Sequence, residues 1–220
     1  MHCKANKNFK FIALTNSNSI FLKNTLEIAL QNLKTAFKGT LHFDDLHKRI
    51  YATDASVYRK IPLGVAYPTD EADIKTLIEF AGKNSIGLIP RAAGTSLAGQ
   101  CVGDGLIVDI SKHMTRIVSF DAERQLITVQ PGVIRDELND YLRPFGLFYG
   151  PDTSTTNRCM IGGMVGNNSS GTTSIKYGVT RDKVVAMRTL LSDGTPAVLT
   201  SVTETEIEQK MTGSSLEASI

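Results

Sequence analysis

No segment of this chain offers the roughly eighteen consecutive apolar residues that a membrane span requires. The basic start, Met1 to Lys10, leads into an apolar stretch, Phe9–Leu14, that Lys10 interrupts and that is too short for a signal-peptide core. The sequence therefore predicts a soluble protein. Cysteine is sparse: Cys3, Cys101 and Cys159 are odd in number, far apart and form no C-x-x-C pair. That pattern favours a reducing, cytoplasmic setting, and three scattered thiols fall short of the ligand set of an iron–sulfur cluster. A strong charge of one sign is also missing. The net charge is +2, which argues against a dedicated nucleic-acid binder. Residues 1–60 do hold ten Lys/Arg against four Asp/Glu, but no aromatic residues interleave them as base stacking needs, so they read as a solvated basic helix. Three familiar motifs fail as well. Gly103-Asp104-Gly105 runs straight into Leu106-Ile107-Val108 and makes no G-x-G-x-x-G; Gln100-Cys101 stand where a Walker loop needs Lys-Ser/Thr; and Gly94 to Gly99 is one residue too long for G-x-S-x-G. No convincing Asp–His pair rescues a serine hydrolase.

What is present is an ordinary globular composition. With 41% hydrophobic residues, seven prolines and eighteen glycines, the 220 residues can bury one sizeable core or two small lobes sharing one. Ser19 reads as the N-cap of a helix through Phe37, with Ile20, Leu22, Leu26, Ala29, Leu30 and Leu33 on one face and Gly39 as the stop. Residues 40–60 read as irregular and polar. Gly64–Pro68 predicts a strand, and Thr69 or Asp70 caps a helix whose apolar face is Ile74, Leu77, Ile78 and Ala81. The next strand is Leu88-Ile89-Pro90, giving a β-α-β unit with a parallel pair, and Gly105–Asp109 makes a third strand. After Ser111 the pattern turns antiparallel. Thr115–Phe120 and Gln125–Gln130 form a hairpin, Val133–Leu142 is helical with Asp136, Glu137, Asn139 and Asp140 outward, and Asp193-Gly194 turns a second hairpin. Residues 203–220 are poor in large apolar side chains, with at most one helical turn around Ile207 and Met211.

The most informative stretch is Pro90-Arg91-Ala92-Ala93-Gly94-Thr95-Ser96-Leu97-Ala98-Gly99-Gln100. It follows a buried strand, is small and nearly uncharged, and leaves its backbone N–H groups open to the oxygen atoms of an anion. Taken alone it is either an anion cradle or a structural turn. A second stretch favours a ligand. Gly150–Ser154 precedes Cys159-Met160-Ile161-Gly162-Gly163-Met164-Val165-Gly166-Asn167-Asn168-Ser169-Ser170-Gly171, with Lys176-Tyr177-Gly178 soon after. Paired glycines allow close backbone approach, and so many polar backbone groups with so little charge need partners, as a large polar heterocycle provides.

In order along the chain, Thr53-Asp54-Ala55-Ser56, Pro68-Thr69, the 90–100 loop, Val129-Gln130-Pro131-Gly132, Gly150-Pro151-Asp152, Ile161-Gly162-Gly163 with Asn167-Asn168, and Tyr177-Gly178-Val179-Thr180 form a specific set. The set resembles the flavin-binding domain of the vanillyl-alcohol oxidase and p-cresol methylhydroxylase (PCMH-type) superfamily. It is most similar to the branch holding the glycolate oxidase flavin subunit and the D-lactate and D-2-hydroxyglutarate dehydrogenases. The resemblance covers about residues 45 to 200 and implies an α+β fold, with a small parallel β-α-β lobe (45–110), a larger mixed or antiparallel lobe (111–202), an N-terminal helical extension (1–44) and a tail (203–220).

The resemblance further implies an FAD site. Pro90, Arg91, Ala92, Ala93, Gly94, Thr95, Ser96, Leu97 and Ala98 would wrap the pyrophosphate, with Pro131 and Gly132 at the phosphate end. Pro151, Asp152, Thr153, Cys159, Ile161, Gly162 and Gly163 would run beside the isoalloxazine and ribityl chain. Asn167, Asn168, Ser169, Gly171, Tyr177 and Gly178 would continue along the cofactor. Arg91 either pairs with a phosphate or seals the loop. Two departures stand out: Ala92-Ala93 replace a common Gly-Gly, and no histidine lies near Thr95, where covalent members carry one, so the FAD is expected to dissociate. The implied reaction is proton removal from the hydroxyl of a 2-hydroxy acid with hydride transfer to the flavin, which a separate acceptor or iron–sulfur partner then reoxidises. The cap domain and catalytic residues of such enzymes are not found here, so the chain is expected to be the N-terminal part of a larger enzyme. A cell-wall enolpyruvyl reductase (the UDP-N-acetylenolpyruvoylglucosamine type) and a cofactor-free interaction domain are the competing readings. His42 and His47, flanking Asp44 and Asp45, suggest no metal site, because no third ligand is evident and helical spacing is not assured.

Overall fold

The computed structural model describes residue 26 and residues 28–212. The Ser19 cap, Ile20, Leu22 and Cys3 lie outside them. Helical residues 28–36 (α1) bring Leu33 and Phe37 into the core. The segment expected to be irregular holds two short elements: strand β1 (Thr40–His42) and helix α2 (Asp45–Ile50), which Asp44 caps by accepting a hydrogen bond from His47 N. Three residues at a sheet edge are too few for a readable alternation, and only the pairing of β1 with β2 (Gly64–Tyr67) makes them a strand.

Helix α3 (Glu71–Asn84), strand β3 (Leu88–Arg91) and strand β4 (Leu106–Asp109) complete the first sheet, in the order β1-β2-β4-β3. The three strands β2, β4 and β3 are parallel, and β1 is antiparallel. The expected β-α-β unit is therefore opened: β2 and β3 do not pair with each other but flank β4. The reason is hydrophobic. Leu106, Ile107 and Val108 form an unbroken apolar run that is buried on both faces, which suits the centre of a parallel sheet, whereas Pro90 in β3 lacks an N–H and suits an edge. Close packing here also fixes Gly105, where a Cβ would lie 2.1 Å from Gly87 O.

Alternation sorts the strand side chains. Leu41, Ala66, Leu106 and Val108 meet Leu33, Phe37, Leu77 and Phe80 of α1 and α3, while Val65, Tyr67 and Ile107 pack on the opposite face with Tyr51 and Ile89. The buried face of α3 thus includes Phe80 and Asp73, whereas Ile74 and Ile78 are only half-buried. Asp73 is tolerated inside because it accepts from Lys38 N, Gly39 N, Thr69 N and the Thr69 hydroxyl, which ties the end of α1 to the start of α3.

Beyond residue 110 the chain makes hairpin β5–β6 (Ile117–Asp121, Leu126–Val129), helices α4 (Arg135–Leu142), α5 (Ile161–Gly166) and α6 (Ser174–Tyr177), hairpin β7–β8 (Ala186–Leu190, Pro196–Thr200) and helix α7 (Glu204–Met211). Mixed pairing belongs to the first sheet; both later sheets are two-stranded and antiparallel. Asn139 does not point outward as expected, since its side chain pairs with both the N–H and the carbonyl of Tyr149. The tail forms eight helical residues rather than one turn, because Thr203 and Glu206 make a reciprocal capping box. No helix among the described residues is long and apolar enough to cross a membrane.

Candidate functional site

The loop after β3 is built from below. Ala55 N donates to Gly94 O, and Arg91 Nη1 donates to Thr53 O at 2.8 Å while its guanidinium lies over the Tyr51 ring. Gly94 has φ +65°, and a Cβ there would lie 2.5 Å from Arg91 Nη2. Arg91 therefore seals the underside of the loop, and Thr53–Ser56 is the seat on which the loop rests. Tyr51 in turn donates to Asp109 Oδ2 at 2.6 Å and accepts from the Tyr67 hydroxyl. Burial, followed by Asp109, pushes the Tyr51 hydroxyl far above its usual range, so it stays a donor. Burial opposes ionisation of Asp54, but hydrogen bonds from Ser56 outweigh it and hold that carboxyl below its usual value.

Above this seat the loop is unspent. Among the described residues, none of the backbone N–H groups of 92–97 donates to another protein group. Ala92 to Ser96 are nonetheless half-buried, and orphan donors in such a position need an acceptor from outside the chain. Leu97 is 80% exposed and Ala98 is exposed too, so these two lie at the rim.

The 159–171 segment reaches this loop, and the remaining expected segments pack on it or on one another. Gln100 Nε2 donates to Asn167 Oδ1 at 2.8 Å. A Cβ on Gly163 would meet the Ala92 methyl at 3.2 Å, so the alanine that replaces the common glycine fills the space Gly163 leaves. Gly162 N donates to Pro131 O and Ile161 N to Val133 O, which docks α5 on the 131–133 turn. Gly171 fits against Asp152, Gly150 against Tyr177, and Thr173 Oγ1 donates to Gly150 O. Asn168 Oδ1 accepts from Arg181 N, while Ser169 O accepts from both the N–H and the hydroxyl of Thr180. Cys159 is buried, with its sulfur against the Thr153 hydroxyl and Met164, a packing role. Gly178 turns at φ +77°, over the Asp182 carboxylate that accepts from Val179 N.

Sequence reasoning missed Arg135. Its side chain, 13% exposed, holds the irregular 149–152 segment through Pro151 O and Tyr149 O and pairs with Asp136 and Asp152. It missed Tyr51 and Asp109 for the same reason: each acts on the site through another residue. The one available signal was Tyr51 standing two positions before Thr53-Asp54-Ala55-Ser56.

Residues 62–200 match the family described as FAD binding domain. The chain belongs to that family. FAD is its cofactor, and the orphan amides of a loop whose only charged side chain is Arg91 fit a pyrophosphate. A D-2-hydroxyglutarate dehydrogenase of Pseudomonas putida is 37% identical over 76% of this chain but only 17% of its own length. The glycolate oxidase subunit GlcD of Bacillus subtilis is 36% identical over 71% of this chain and 34% of its own. This FAD-binding chain therefore spans a minor part of each. In fold it matches an alkyldihydroxyacetonephosphate synthase (TM-score 0.70, 22% identity, 80% of this chain and 38% of that one) and a p-cresol methylhydroxylase with substrate bound (TM-score 0.70, 16% identity, 80% and 35%).

Proposed function

We propose that this chain is the FAD-binding part of a flavin-dependent dehydrogenase acting on a small 2-hydroxy acid in the cytoplasm, with electrons passing to a separate acceptor. The observation that carries it is the row of unpaired amides at 92–97, a cradle for a pyrophosphate that needs no side-chain cation in contact. Arg91, fixed beneath the loop, adds positive potential without competing for the amides. Gly162 and Gly163 let α5 pack close against Pro131 and Ala92, and segments 151–153, 167–171 and 177–178 wall the flavin. When bound, the flavin supplies the hydride acceptor. The chain's own residues bind and orient it, and backbone N–H groups stabilise negative charge on it. No histidine lies in 90–100, so the attachment is noncovalent. The enolpyruvyl reductase and cofactor-free readings are not favoured, since the relatives are named as hydroxy acid dehydrogenases and an oxidase subunit.

Purified chain incubated with FAD and desalted is expected to keep a flavin spectrum that acid releases. Its unfolding free energy should rise by about 2.7 kcal/mol at a hundredfold excess of FAD over Kd. A colourless protein whose melting temperature ignores FAD overturns this reading.

A further inference from the structure

One side-chain cluster stands outside the flavin site. His42 ends β1, Asp44 caps α2 and His47 lies in the first turn of that helix, so the tight β1–α2 connection draws all three together. His47 Nδ1 lies 2.8 Å and His42 Nδ1 3.6 Å from the same oxygen, Asp44 Oδ2. The two imidazole rings stack with centroids 3.6 Å apart and 12° between planes, so sharing one ion requires one ring to rotate until both in-plane nitrogen lone pairs converge. Helix capping explains the Asp44–His47 contact. It does not explain why His42 turns its Nδ1 onto the same carboxylate oxygen. One nitrogen or oxygen from each residue lies within 4.8 Å of the others. Ligand atoms around a tetrahedral zinc with bonds of about 2.0–2.1 Å stand about 3.3 Å apart, and the two separations here straddle that distance. The side chains are 27%, 51% and 28% exposed, which leaves a further position to water.

We propose that His42, Asp44 and His47 bind a divalent transition metal ion of the zinc class, through two imidazole nitrogens and one carboxylate oxygen. Imidazole with carboxylate suits zinc, nickel or copper and is a poor set for the all-oxygen preference of calcium and magnesium. The bound ion clips edge strand β1 to α2. His42 also meets the Tyr67 ring edge-on, so the clip braces the tyrosine pair behind the flavin loop.

The test is calorimetric titration of the full chain with zinc, against H42A, H47A and D44N, with H113A as control. His2, Cys3, Cys101 and Cys159 remain in every variant, so only the difference reports the cluster. The wild type and H113A are expected to bind one equivalent that H42A and H47A lose, and that D44N, which loses the carboxylate ligand itself, binds more weakly by at least the roughly tenfold that loss of an outer-shell partner costs. Circular dichroism checks that the variants fold. Imidazole ¹⁵N resonances of the unmutated chain give a second reading that no folding defect can blur: His42 and His47 shift with zinc and His113 does not. Absent binding, equal binding in H42A and H47A, or unmoved His42 and His47 resonances each overturn the proposal.

Discussion

A methyl group added at position 171 would lie 1.2 Å from Asp152 O, a backbone atom that cannot step aside without moving the segment that Arg135 holds. G171A is expected to lose about 1–3 kcal/mol or more, in the range of overpacking, and to release FAD on desalting. Unfolding in urea and the retained visible spectrum check the two effects separately. Tyr51 makes a different case. Y51F keeps the ring under Arg91 but leaves Asp109 Oδ2, in a residue only 3% exposed, without its donor. The expected cost is about 1–3 kcal/mol in urea unfolding, with FAD affinity reduced because the seat of the loop loosens. Neither effect is visible in residue type alone. Gly171 and Tyr51 matter through what lies opposite them, and a single sequence does not say what lies opposite.

At the scale of elements, α3 was legible because its signals are local, Asp70 as cap and a helical apolar spacing, whereas its end at a left-handed Ser85, beyond Gly82, was not. L77A in its buried face is expected to cost roughly 2–5 kcal/mol, measured as a shift in the urea midpoint with an unchanged slope. Strands β2, β3 and β4 and both hairpins follow likewise from apolar runs and turn residues, with Gly194 at φ +82° as the Asp-Gly turn requires. Strand β1 and helix α2 escaped notice because three and six residues carry too little periodicity. Their existence depends on a partner strand and on the Asp44 cap. The same shortness hid the closeness of Asp44 to both histidines.

Across the whole molecule, several exposed carboxyls sit below their ordinary values in the fold: Asp70 through the Asp73 N–H and Lys38, Asp104 through Lys60, and Asp193 through Thr195. A depressed folded value means stability that is present above the unfolded carboxyl range, near ~4, and is lost as pH falls through it. Melting temperature is therefore expected to be flat from neutral pH down to about 5 and to fall below about 4, with high salt flattening that fall. The hairpin β7–β8 reaches back to α3 through Arg188 and Glu71, one long-range ion pair among these surface contacts. By itself the sequence determined that small residues and glycines gather at 90–98, 131–132 and 151–178, since these are properties of composition and order. It also determined the α+β class, because helical and alternating spacing are local. Only the tertiary structure decided that β4 lies between β2 and β3, that Arg91 seals rather than faces the loop, and that Arg135 and Asn139 hold the 149–152 segment. Those outcomes depend on which buried surfaces meet and on where each hydrogen-bonding group finds its partner, and both are settled between residues far apart in the chain.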